Sequence, residues 1–143
     1  MAFPYKRILA PVDFDESSLS CLETAANLAR QNDGTVFVLH IVPVDIDVTG
    51  MPQYVDLIKR QENTDREKLT AIAKQHLVDV KWEILDEMGP PAEVIAEVAT
   101  KLPADLIVMV THGRRGLARL VESSVAERVL RNAPCPVLAV RRE

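Results

Sequence analysis

Cysteine is nearly absent from this chain. Cys21 and Cys135 stand far apart and match no CxxC or Cys/His spacing, which excludes a zinc ribbon, a dithiol redox pair and a disulfide scaffold. Each is read as a small apolar core residue rather than a ligand. Histidine is as sparse: His40, His76 and His112 are widely separated, and no metal is expected. His40, inside an apolar run, is read as a core histidine, and His112 as the one placed to touch a ligand. No apolar run approaches the ~20 residues that a membrane-spanning helix needs. The amino terminus also lacks the apolar stretch of a secretory signal, so a cytoplasmic protein with no membrane partner is expected. Excess positive charge is missing too. The net charge of -4 speaks against a nucleic-acid partner, because neutralising phosphates takes a basic face. There is no GxxxxGK[ST], no strand-associated GxGxxG, no GxSxG and no base set beside a nucleophile, so no catalytic residue is nominated.

What is present is an alternation. With 143 residues, 48% hydrophobic and 27% charged, the chain suits one domain spanning 1–143 that buries its own core. Arg7 to Val12, Thr35 to Val42 and Asp105 to Val110 are short, nearly all-apolar runs, as expected of strands covered on both faces. Val80 to Leu85 alternates in part and reads as a strand nearer the sheet edge; Pro136 to Val140 reads as the last strand. Between them, Leu19, Leu22, Ala25, Ala26 and Ala29 recur at helical spacing, closed by Asn32-Asp33-Gly34. Gln53 to His76 is a long helix with a wet face through Arg60 to Lys68. Gly89-Pro90-Pro91 sets proline at the next helix start, ahead of an apolar face of Val94, Ile95, Val98, Ala99 and Leu102. Pro43 to Pro52, with its breakers, is expected to be a loop. The order βαβαβαβαβ requires a mostly parallel sheet with right-handed crossovers.

The richest segment follows the fourth strand: Val110-Thr111-His112-Gly113-Arg114-Arg115-Gly116, then Ser123-Ser124-Val125. A strand, a Gly/Arg loop and a helix opening on two serines is how an α/β protein builds an anion site. Glycines let backbone approach a phosphate, Arg114 and Arg115 can neutralise it, and a helix start offers unpaired N–H groups. Ser124 followed by Glu127 has the form of a capping box. Asp13, ending the first strand, can accept hydrogen bonds from an exocyclic amine or a ribose hydroxyl, or can cap the helix that follows.

Taken in order, several stretches resemble the universal stress protein family. They are Ile8-Leu9-Ala10-Pro11-Val12-Asp13-Phe14 with Ser17-Ser18, Leu39-His40-Ile41-Val42, and Gly89-Pro90-Pro91-Ala92-Glu93-Val94-Ile95. Asp105 to Met109, Thr111 to Leu117, Ser124 to Val129 and Ala133 to Leu138 complete the series. The resemblance implies an open five-stranded parallel sheet of order 3-2-1-4-5 with helices on both faces, of the adenine nucleotide alpha hydrolase-like kind. It implies a homodimer paired through the last strand, Pro136, Val137, Leu138, Ala139 and Val140. It also implies an adenine-nucleotide site, with Pro11, Val12, Asp13, Ile41 and Met109 around adenosine and Gly113, Arg114, Arg115, Ser123, Ser124 and Val125 toward the phosphates. ATP and AMP are the candidate ligands; Mg²⁺ would accompany the triphosphate, with no protein ligand nameable, and any hydrolysis would be slow.

One branch of that family binds ATP through G-x2-G-x9-G-[ST]. Mapped here, the glycines fall on Val110, Gly113 and Ser123, and the last position on Ser124. Two of the three glycines are therefore replaced, which leaves the adenosine half intact and the phosphate half compromised. The reading favours an adenine-nucleotide-binding stress-response regulator. Its alternative is a dimer that binds no nucleotide and acts through contacts with an unidentified protein.

Overall fold

The computed structural model describes residues 3–13, 16–42, 52–111 and 120–141. Their elements run in the order β1 (Arg7–Pro11), α1 (Glu16–Asn32), β2 (Thr35–Val42), α2 (Pro52–His76), β3 (Lys81–Met88), α3 (Pro91–Lys101), β4 (Leu106–Thr111), α4 (Leu120–Asn132) and β5 (Val137–Arg141). The strands form one five-stranded sheet of order β3-β2-β1-β4-β5, and every pairing is parallel.

The period-2 geometry of strands explains why the central runs are apolar throughout. Ile8, Ala10, Val36, Val38, Leu106 and Val108 point to one face, where they pack with Cys21, Leu22, Ala25 and Ala29 of α1, Leu69 and Ala73 of α2, and Leu77 just past its end. Leu9, Phe37, Leu39, Ile107 and Met109 point to the other, onto Ala92, Ile95 and Ala99 of α3 and Ala126 and Val129 of α4. The sheet thus divides two cores, and each fully buried aliphatic side chain contributes roughly 1.5–3 kcal/mol. The first three strands build outward from β1 on one side. The chain then crosses back to β4 on the other, so the order reverses between β1 and β4.

Polar contacts at the amino end of the sheet set the register of that central pair. Asp105 Oδ2 accepts hydrogen bonds from the backbone N–H groups of Lys6 (3.0 Å) and Arg7 (2.9 Å). The Asp105 N–H donates to Arg7 O at 2.8 Å, and the Arg7 guanidinium reaches Leu102 O at 2.8 Å. This holds Ile8 opposite Leu106 and Leu9 opposite Ile107. Between α1 and β2, Asp33 takes the left-handed turn (φ 53°). Gly34 is needed instead for close approach, because a Cβ there would lie 2.5 Å from Tyr5 O.

Several expected boundaries differ; β1, β4 and β5 shift by one residue, and three others are informative. β3 continues to Met88 instead of stopping at Leu85, because its ladder with β2 carries on through His40–Asp86 and Ile41–Glu87 despite their polarity. Pro52, expected in the loop, opens α2, where proline suits the first turn; the rest of that loop, residues 43–51, lies outside the described residues. The last helix starts at Leu120, ahead of the serines. Leucine, valine and glutamate at 120–122 carry the helix through the serine pair, and Ser124 is its fifth residue, not its cap. Glu127, the expected partner in the box, instead pairs with Arg131 one turn on.

Candidate functional site

Where β1, β2 and β4 end, a cavity of about 430 Å³ opens between them and the start of α3. This is the place where an open α/β sheet offers a crevice, outside the carboxyl ends of strands at the reversal of strand order. β1 and the residues just beyond it supply Pro11, Val12 and Asp13; β2 supplies Leu39, His40 and Ile41; β4 supplies Met109 and Val110; α3 supplies Pro91 and Ile95. The Val12 N–H donates to Leu39 O at 2.9 Å, so β1 stays docked on β2 one residue beyond its end. Gly89 then turns the chain at φ 136°, and its N–H donates to Val42 O at 3.1 Å. Proline follows at the helix start. That turn is why Pro91 reaches the rim, and no residue with a Cβ adopts it without strain.

Among the described residues the walls are mainly apolar, with Asp13 at the rim and His40 in the wall as the polar side chains. Asp13 is exposed, whereas Val12 beneath it is buried. Under the floor, Cys21 donates its S–H toward Pro11 O at 3.9 Å. Burial first, and the Asp13 charge second, push its thiol up to about 12. Val110 is half-buried and packs partly against the α1/α2 core. It therefore narrows the cleft without closing it. A volume of about 430 Å³ with Val110 in place falls within the ~300–1,000 Å³ typical of small-molecule sites.

His40 is 6% exposed and lies on the α1/α2 side of β2, in line with Val36 and Val38. Its Nε2 is 3.6 Å from Asp65 Oδ2 of α2, and its Nδ1 is 3.7 Å from Asp86 Oδ1 of β3. Asp86 is held in turn by Arg66 at 2.7 Å, and Gln61 donates to Asp65 at 2.8 Å. Among the described residues, no group of three His, Cys, Asp or Glu side chains is placed to hold a metal ion.

Of the residues nominated from sequence, Pro11, Val12, Asp13, Ile41 and Met109 meet in the cleft. Val125 does not; it packs into the α3/α4 core. Ser123 and Ser124 lie within α4, so the N–H of Ser124 is committed to the preceding turn. His112, Gly113, Arg114 and Arg115 fall outside the described residues. Leu39, His40, Pro91 and Ile95 were not nominated, although their stretches carried the family resemblance; nothing in the linear pattern says that α3 begins beside β1. Cys21 is buried, and Cys135 is half-buried with a thiol also raised, by burial and then by Asp105. No helix among the described residues is long and apolar enough to cross a membrane.

Comparison with known proteins follows this geometry. The family model for the universal stress protein family matches residues 4–141. Universal stress protein MJ0531 of Methanocaldococcus jannaschii is 38% identical over 144 residues, which covers 96% of this chain and 83% of that protein. Universal stress protein A homolog 1 of Coxiella burnetii is 36% identical, with 95% and 96% covered. The solved structure of protein MJ0577 superposes with a TM-score of 0.80 at 27% identity, over 97% of both chains. Two further structures share the fold: a universal stress protein in complex with cAMP (TM-score 0.71, 22% identity, 97% and 98% covered) and one from Archaeoglobus fulgidus in complex with dAMP (TM-score 0.67, 24% identity, 95% and 98% covered). With a matching family model, relatives of this identity over nearly its whole length and the sheet order 3-2-1-4-5, the chain belongs to the universal stress protein family.

Proposed function

We propose that the cleft binds an adenine nucleotide, and that occupancy of this site is what the protein uses to act in a stress response as a homodimer paired through β5. One observation carries the reading: an apolar cleft sits at the strand-order reversal with a carboxylate, Asp13, on its rim. A purine ring fits between apolar walls such as Ile41 and Met109. Asp13 supplies the acceptor that distinguishes a nucleoside from a hydrocarbon. The cAMP and dAMP complexes of proteins with the same fold support the ligand class. The phosphates would run toward the segment of Gly113, Arg114 and Arg115, with the hydroxyls of Ser123 and Ser124 as donors. Mg²⁺ would enter only with a triphosphate. The chemistry on offer is binding and orientation; slow hydrolysis is the most this site would support.

Native mass spectrometry of freshly purified protein, followed by calorimetric titration with AMP and ATP, tests this. Micromolar AMP binding is expected. Asp13→Ala should weaken it about 10- to 100-fold, the worth of one hydrogen bond to a charged acceptor. No binding heat at millimolar nucleotide would sink the reading. The second reading, a dimer without nucleotide, is favoured by Val110 on the cleft wall. If ATP binding arises only after Val110→Gly with Ser123→Gly, the second reading replaces the first.

A further inference from the structure

We infer that the cluster of His40, Asp65, Asp86 and Arg66 couples the cleft to α2, so that a nucleotide in the cleft orders the amino-terminal half of that helix. The inference rests on the nucleotide reading above and adds to it the element that responds.

The burial pattern of α2 is the first observation. Among the described residues, its buried apolar side chains, Leu69 and Ala73, lie in the carboxyl-terminal half, with Leu77 just past the helix end. Towards its start, Asp56, Lys59, Arg60, Asn63 and Thr64 are exposed, and Leu57 is 61% exposed. Among the described residues, Asp65 is the buried anchor nearest the amino end, at 5% exposure, and it is held by polar contacts. Among the described residues, the contacts nearest that half that reach the sheet are Asp65–His40 and Arg66–Asp86, at the middle of the helix, and Gln61 within the helix braces Asp65.

The second observation is where the cluster ends. His40 is both a wall of the cleft and the member between the two carboxylates, at 3.6 and 3.7 Å. Both separations lie beyond the ~2.7–3.2 Å of a good hydrogen bond, and because the ring sits between the two carboxylates, a displacement of it changes both contacts together. Position 40 continues the buried row of Val36 and Val38, where an aliphatic side chain would pack without the cost of burying polar atoms. A ligand pressing on the end of β2 acts on the ring, and the ring acts on Asp65 and Asp86. Coupling of this kind requires only that the two arrangements bind the ligand differently.

Hydrogen exchange with and without AMP, at AMP concentrations fixed by calorimetry, tests the coupling. In the native chain, saturating AMP should slow exchange of amides 57–66 at least about threefold, on the scale of ordinary site-to-site coupling. Asp65→Asn, which lies outside the cleft, should keep AMP binding and lose that slowing; His40→Leu should lose it as well. AMP binding with unchanged exchange in 57–66, or a full response in Asp65→Asn, overturns the coupling and leaves the nucleotide reading standing. Absence of AMP binding in the native chain overturns both.

Discussion

Cys21 shows how one residue reports on its surroundings. It is fully buried beneath β1, and its thiol is pushed up to about 12 from 9.0 by burial and then by the charge of Asp13. A group whose folded value is raised stabilises the fold fully below its unfolded value and loses that contribution as pH climbs toward the folded one. The fold should therefore weaken between about pH 9 and pH 12 through this thiol, and Cys21→Ala should flatten that part of the stability curve. At about pH 8 a thiol reagent should label Cys135 and spare Cys21, because both thiols are raised but Cys135 is half-buried where Cys21 is fully enclosed. Rapid labelling of both in the native protein would contradict the assignment. At this scale the sequence was informative where chemistry is local: Asp13 at a strand end and two cysteines without partners. It placed His40 in the core but was silent on its neighbours Asp65 and Asp86, which come from two other elements. Spacing along the chain carries no trace of such a cluster.

Elements were legible in proportion to how strongly burial dictates them. β1, β2 and β4 are covered on both faces, and their unbroken apolar runs announce it. β3, at the edge, keeps its ladder to β2 through Asp86 and Glu87, whose polarity hid its last residues. In α4 a serine four residues inside the helix mimicked a cap; the serine and glutamate three apart have the form of a capping box, but the helix starts a turn earlier and Glu127 pairs with Arg131. The long helix α2 offers the sharpest test. Its mean character is polar, and among the described residues its apolar hold on the sheet is the short row Leu69 and Ala73, continued by Leu77 just past its end; Leu69 is completely buried. Leu69→Ala should therefore cost about 2–5 kcal/mol, the range for a leucine removed from a core that collapses only in part. A urea titration should show the midpoint falling with an unchanged slope. A loss below about 1 kcal/mol would mean that α2 is held elsewhere.

At the scale of the whole molecule, the two edges of the sheet are built differently, and the difference carries an expectation about assembly. β3, one edge, presents exposed Lys81, Glu83 and Glu87; charges of this kind discourage a second sheet from pairing there. β5, the other edge, reads Val-Leu-Ala-Val before its only charge, Arg141. Leu138 is 40% exposed, and Ala139 is exposed beside it. An apolar edge strand whose single charge stands at its end, with no internal proline, invites a partner strand. The nearest source of a matching strand is a second copy of the same chain, by an isologous contact about a two-fold axis. Sedimentation velocity should then find a dimer for the native chain. Leu138→Lys should shift the mass toward the monomer, because the new ammonium would be desolvated against its own symmetry mate. Glu83→Lys on the opposite edge should leave the dimer intact. If Leu138→Lys stays dimeric while Glu83→Lys dissociates, the molecule pairs through β3, and the charged edge is a contact surface in place of a guard.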